Sequence, residues 1–140
     1  MGDDAVLIDT HVWLWLAQGN DRLWETPGYF AIQKARESGG IFVSIISVWE
    51  IGLLASKGRI LVRQGHRRWI ERALQEPKLR LQPMTPGIAL ESSRLPGEFH
   101  SDPADRILVA SARELNVPLI TADARILAYA TSGNLRAVEV

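Results

Sequence analysis

Apolar residues along this chain follow two rhythms, and the alternation between them predicts the architecture. Residues 5–8 (Ala5, Val6, Leu7, Ile8) form a short continuous run rich in β-branched side chains, the pattern of a buried strand, and it stops at Asp9-Thr10. From His11 to Ala17 the apolar positions are nearly continuous until Gly19-Asn20, which predicts a short buried helix. Tyr29, Phe30, Ile32 and Ala35 recur at mostly helical spacing before Gly39-Gly40, predicting a second helix. Ile41, Phe42, Val43 and Ser44 read as a second strand, and 47–54 as a helix with Val48, Ile51 and Leu54 on one face. Trp69, Ile70, Ala73 and Leu74 mark another helix, and Leu79, Arg80 and Leu81 a third strand.

The second half repeats the alternation with clearer punctuation. Thr85-Pro86 and Asp102-Pro103 each place a capping side chain before a proline, the signature of a helix start. The second of these opens onto Ile107, Leu108, Ala110 and Leu115. Pro118 to Thr121 reads as a fourth strand, followed by a helix through Tyr129, with residues 137–140 as an edge strand. Strands that alternate with helices predict an α/β fold: a three-layer α/β/α sandwich on a central, mainly parallel sheet of four to five strands. No repeat, low-complexity tract or linker interrupts residues 1–140, which read as a single domain.

Composition narrows the function classes. Cysteine is absent, which excludes thiolate metal sites, disulfides and a cysteine nucleophile, and suits a cytoplasmic protein. The acidic start Met1-Gly2-Asp3-Asp4 lacks a signal-peptide pattern, and no apolar run approaches a membrane span. Net charge is zero, with 16 basic and 16 acidic residues, but its distribution is uneven. Lys57, Arg59, Arg63, Arg67, Arg68, Arg72, Lys78 and Arg80 place half of the basic residues in one stretch, offset only by Glu71 and Glu76. That stretch is open to two readings, a polyanion-binding surface or a solvated helix face.

Several acids sit singly where strands end. Asp9 follows the first strand, Glu50 lies early in the helix after the second, Asp105 in the first turn after Asp102-Pro103, and Asp123 just past the fourth strand. In an open α/β sheet ligands bind outside the carboxyl ends of the strands, so these four converge on the expected place. Crowded carboxylates call for a cation, and an all-oxygen set suits Mg²⁺ or Mn²⁺. Each acid also has a capping reading: Asp9, Asp102 and Asp123 as N-caps, Ser47 to Glu50 and Asp102 to Asp105 as capping boxes. Four coincidences at one sheet edge favour the metal site, while Asp102 is assigned mainly to capping. His11, His66 and His100 lack zinc spacing, though His11 beside Asp9-Thr10 is open to lining the site. Trp13, Trp15, Trp24 and Trp49 read mostly as core, with some open to forming an apolar surface for a protein partner.

The segments Leu7-Ile8-Asp9-Thr10-His11, Ser44 through Ile51, Asp102-Pro103-Ala104-Asp105-Arg106 and Leu119-Ile120-Thr121-Ala122-Asp123 resemble the four motifs of the PIN-domain family, in the family's order. The match is nearest to VapC-like ribonuclease toxins of type II toxin–antitoxin systems. Ala104 departs from a commonly aromatic position. The resemblance implies a divalent-metal-dependent endoribonuclease with Asp9, Glu50, Asp105 and Asp123 as catalytic and metal-binding acids. It adds Thr10 and Thr121 as nearby hydroxyls in contact with substrate, and an antitoxin protein and a second subunit as partners. Phosphate contacts to the RNA substrate would come from Arg67 and Arg68, with Arg59 and Arg72. Two rivals stand beside it. A receiver or phosphotransfer domain is disfavoured because the lysines are Lys34, Lys57 and Lys78, which leaves none near the later strands after residue 78. A non-catalytic PIN-like module that binds RNA or protein stays open.

Overall fold

The computed structural model describes residues 4–60 and 65–140; Arg63 of the basic stretch lies outside them. Five parallel strands form one sheet in the order β3-β2-β1-β4-β5, with β1 Val6–Ile8, β2 Ile41–Ser44, β3 Leu79–Gln82, β4 Leu119–Thr121 and β5 Ala137–Glu139. The register pairs Ile8 with Val43 on one side and with Ile120 on the other. Alternation along each strand divides the core. Leu7, Phe42 and Leu119 face one layer, and Val6, Ile8, Ile41, Val43 and Ile120 face the other.

Helices cover both faces. Ile88 of α5 (Pro86–Ser92), Leu108 and Val109 of α6 (Pro103–Leu115) and Ile126 and Tyr129 of α7 (Ala124–Ala130) pack on the first face. Val12 and Trp13 of α1 (Thr10–Gln18), Ile32 of α2 (Pro27–Lys34) and Ile51 of α3 (Ile45–Ser56) pack on the second. Trp69 of α4 (His66–Ala73) joins that layer by packing tilted against Trp13, with ring centroids 5.3 Å apart. The three-layer parallel sandwich expected from the alternation is the observed architecture. Among the described residues no helix is long and apolar enough to cross a membrane.

Local chemistry sets the element ends. Thr26, Thr85 and Asp102 cap α2, α5 and α6 immediately ahead of their prolines. Gly19 closes α1 at φ 64, where its amide reaches back to Leu16. Beyond α2 the helix widens into a π turn over Ala35–Gly39. A side chain at Gly39 would run into the backbone of Asp4 and Ala5, so a glycine lets this turn lie against the start of β1.

The structure departs from two expectations. Helix α3 begins at Ile45, two residues before the expected start, because Ser44 and not Ser47 is its cap and accepts from the Ile46 amide. Trp24 and Trp49, read as core, are 60% and 55% exposed. Trp49 lies two residues from both Ser47 and Ile51, which are buried; about 200° of helix rotation separates it from each, so it faces solvent.

Candidate metal centre

With β2 on one side of β1 and β4 on the other, the chain reverses its winding direction between β1 and β4, and a crevice opens at their carboxyl ends. The four singled-out acids line one cleft there, of about 330 Å³, with Asp102, His11, Trp15, Ala122 and Arg125. Each carboxylate is positioned by a local reason. Asp9 ends β1 and is 8% exposed; its Oδ1 accepts from the Thr10 amide at 2.7 Å and its Oδ2 from the Thr121 hydroxyl at 2.7 Å. Thr121 in turn accepts from the Asp123 amide at 3.0 Å, so one hydroxyl ties the ends of β1 and β4 together.

Glu50 is held by a parallel device. The Thr10 hydroxyl donates to its Oε1 at 2.6 Å. Thr10 has a single hydroxyl hydrogen, so in its 2.7 Å contact with buried Ser47 the serine donates. A Ser47–Thr10–Glu50 chain results, and the capping-box reading of Glu50 gives way to it. Asp123 caps α7 through Oδ1, which accepts from the Arg125 and Ile126 amides. Asp102 caps α6 by accepting from Ala104 and Asp105. Asp105 completes no box: its Oδ2 stands 3.1 Å from His100 Nε2 and 3.5 Å from the Arg125 guanidinium. The Asp102 amide donates to His100 Nδ1 at 3.3 Å, so a neutral ring carries its hydrogen on Nε2, which lies close to Asp105 without making a hydrogen bond.

The electrostatics are those of an incompletely neutralised cluster. Burial pushes the Asp9 carboxyl up, against the pull of its Thr121 and Thr10 hydrogen bonds. Burial also raises Glu50, opposed by the Thr10 hydroxyl and reinforced by Asp9 and Asp102. Asp105 is pushed up to about 7, first by burial and then by Asp102, Asp9, Asp123 and Glu50. A divalent cation would reverse the sign of those repulsions, and every donor facing the cleft from the four acids is a hard oxygen. Among the described residues no three acid or imidazole side chains stand close enough to hold an ion unaided. Mg²⁺ does not require such a cage, because it commonly keeps several waters and uses one or two carboxylates with substrate phosphate. The donor chemistry therefore fits a hydrated hard cation.

The PIN-domain family model matches residues 6–131, which takes in all four acids. The chain belongs to the PIN-domain family. Within it, the chain is 31% identical over 125 residues to Ribonuclease VapC22 of Mycobacterium tuberculosis, covering 89% of this chain and 92% of that one. Similar solved folds include VapBC2 from Rickettsia felis bound to a promoter DNA fragment, with a TM-score of 0.71 at 13% identity over 96% of this chain and 98% of that one. A toxin–antitoxin complex from Klebsiella pneumoniae aligns with a TM-score of 0.58 at 23% identity, over 84% and 86% of the two chains. The recognition and the nuclease class expected from the four motifs are borne out by these matches.

The rest of the expected PIN-domain site is distributed less simply. Thr10 and Thr121 were expected at the substrate; they are 2% and 0% exposed, and their hydroxyls are committed to Glu50 and Asp9. The structure makes them holders of the carboxylates. Arg67 and Arg68 are exposed on α4, which packs against α3, and neither lines the cleft. His11 is exposed at the cleft, tilted against Trp15 at 6.3 Å. The sequence reading missed His100 and Arg125. A signal existed for Arg125: a cation in the first turn of a helix opposes the helix dipole, so it needs a carboxylate nearby.

Proposed function

We propose that this protein is a divalent-metal-dependent endoribonuclease that hydrolyses RNA phosphodiester bonds, and the toxin of a toxin–antitoxin pair. The observation that carries this reading is the convergence of Asp9, Glu50, Asp105 and Asp123 on one cleft at the carboxyl edge of the sheet. Membership of the PIN family and the likeness to a VapC ribonuclease support it. PIN-domain ribonucleases generally use a divalent metal, here Mg²⁺ or Mn²⁺, which one or two of the four acids would bind directly and the others through its waters. When bound, such an ion supplies Lewis-acid polarisation of the scissile phosphate and lowers the pKa of a water.

The chain's own residues do the rest. The hydroxyls of Thr10 and Thr121 fix the rotamers of Glu50 and Asp9, so these carboxylates meet the cation without reorganising. The cleft lies at the surface, where an extended RNA strand can enter. Exposed Arg59, Arg67 and Arg68 then position its backbone without reading sequence. Exposed Trp24, Phe30 and Trp49 provide apolar surface suited to protein partners, which supports an antitoxin and a second copy of the chain. The proposed setting is the cytoplasm.

The test is cleavage of a labelled mixed RNA by antitoxin-free protein, with Mg²⁺, with Mn²⁺ and with EDTA. Asp9→Asn and Asp105→Asn are run beside the wild type. The expected result is metal-dependent cleavage lost in both variants. Folded, metal-saturated protein that shifts its thermal midpoint with Mn²⁺ but cuts no RNA would reduce the reading to a binding module.

A further inference from the structure

Among the described residues that line the cleft, Arg125 is the sole arginine or lysine. One of its guanidinium nitrogens stands 3.5 Å from Asp105 Oδ2 and 3.7 Å from Asp123 Oδ2, between two of the acids assigned to the metal. Both separations are too long for good N–H···O hydrogen bonds, so the attraction is Coulombic. The side chain is 61% exposed, against 13% for Asp105 and 28% for Asp123. Packing therefore does not hold it, and a pair so exposed is weak. The position is also unfavourable to a cation with respect to its own helix, since Arg125 lies in the first turn of α7. His100, by contrast, is clamped by its neighbours, with its ring 4.2 Å from that of Phe99.

From this geometry we infer that Arg125 occupies the cation position of the metal-free site and becomes a substrate-phosphate ligand once a divalent ion takes that position. The inference rests on the nuclease reading above. A divalent ion among Asp9, Glu50, Asp105 and Asp123 carries more charge than a guanidinium and repels it. The released side chain stays tethered at the rim of the cleft, where the polyanion must pass. Its planar fork of donors matches two phosphate oxygens, a geometry that a point charge does not reproduce. Competition with the metal and attraction for the substrate are thus assigned to the same group in two positions.

The two roles have opposite signatures in one variant. In Arg125→Gln, thermal midpoints titrated with Mn²⁺ alone should show tighter metal binding, by about three- to tenfold. With Mn²⁺ saturating, kcat/KM on a labelled single-stranded RNA should fall by about tenfold or more. Arg125→Lys keeps the charge and should restore the wild-type Mn²⁺ midpoint, with only part of kcat/KM recovered. Weaker or unchanged Mn²⁺ binding in Arg125→Gln overturns the exchange, as does an Arg125→Lys midpoint equal to that of Arg125→Gln. An unchanged kcat/KM in Arg125→Gln overturns the phosphate role and leaves the nuclease reading standing. Wild-type protein that binds Mn²⁺ and leaves RNA intact overturns the nuclease reading, and this inference with it.

Discussion

Two clefts lie at opposite ends of the sheet, and the larger is not the one that gathers the acids. At the amino ends of β4 and β5, a cleft of about 540 Å³ is lined by Glu91, Arg113, Asn116, Asn134 and Arg136 among others. Its two arginines and two glutamates balance in number; Arg113 Nε pairs with Glu91 at 2.7 Å, and Arg136 donates to the Asn116 carbonyl at 2.6 Å. The acid cleft at the carboxyl ends is about 330 Å³, and its carboxylates outnumber the cations that face them. Size reports how helices and loops meet; unresolved charge reports where a ligand is expected. Asp9 and Asp123 also serve the fold as a strand tie and a helix cap, but their crowding with Glu50 and Asp105 costs stability that a bound cation would recover.

The sharpest way to break this comparison is to neutralise one charge at each end. Asp105→Asn should lower metal-dependent cleavage by roughly a thousandfold or more. It should also raise the melting temperature of the EDTA-treated protein at pH 8 by about 2–4 °C, because the penalty of ionising Asp105 disappears. Arg113→Gln should do the reverse, lowering the melting temperature while leaving kcat/KM within about twofold of wild type. Equal effects on activity from both ends would erase the distinction.

Next in size come the hydroxyls. Thr10→Val strips Glu50 of a donor and leaves Ser47 unpaired in the core; Mn²⁺ affinity should fall about 10- to 100-fold, measured by thermal titration. Thr10→Ser should recover most of it. The pH response of the metal-free protein sharpens the contrast further. Asp105 in the folded chain keeps its proton to about 7, against an ordinary value of 3.8. The folded state therefore binds more protons between those values, so the stability from this group is complete below 3.8 and is lost as pH rises through 7. Urea midpoints in EDTA should decline from pH 5 to pH 8, and saturating Mn²⁺ should flatten or invert that slope. The smallest effect is expected from Arg67→Gln with Arg68→Gln. RNA affinity should drop only a few fold, with the salt dependence shallower by about one unit for each phosphate that is no longer neutralised.

Much of this was legible in the sequence, for identifiable reasons. Most strands are short apolar runs closed by polar residues, and Thr85 and Asp102 stand directly before prolines, so the alternation of strands and helices could be read without contacts. Asp9 and Asp123 follow β1 and β4 closely, and strand ends share one edge in a parallel sheet, so their meeting follows from topology; Glu50 and Asp105 reach the same edge from the early turns of α3 and α6. What escaped depends on spatial neighbours. Ser44 and Ser47 both suit a helix start, and only packing of the first turn decides for Ser44. The direction of Trp49 depends on which face of α3 meets the sheet. His100 belongs to a loop whose path is fixed by Arg106, which donates to the carbonyls of Ser92, Phe99 and His100. No spacing rule encodes that loop.

The hydrogen bond from Thr121 to Asp9 joins residues 112 positions apart. A ribosome adding about 5–20 residues per second needs roughly 6–22 s to lengthen the chain by that much. During that interval Asp9 exists without the hydroxyl that orients it, and Asp123 has not been made. The central strand waits for a neighbour made more than a hundred residues later, so the acid cluster cannot form before β4 exists. On the proposed assignment a chain still short of Asp123 lacks part of its metal centre, and those seconds of synthesis are a window in which a restraining partner can be supplied.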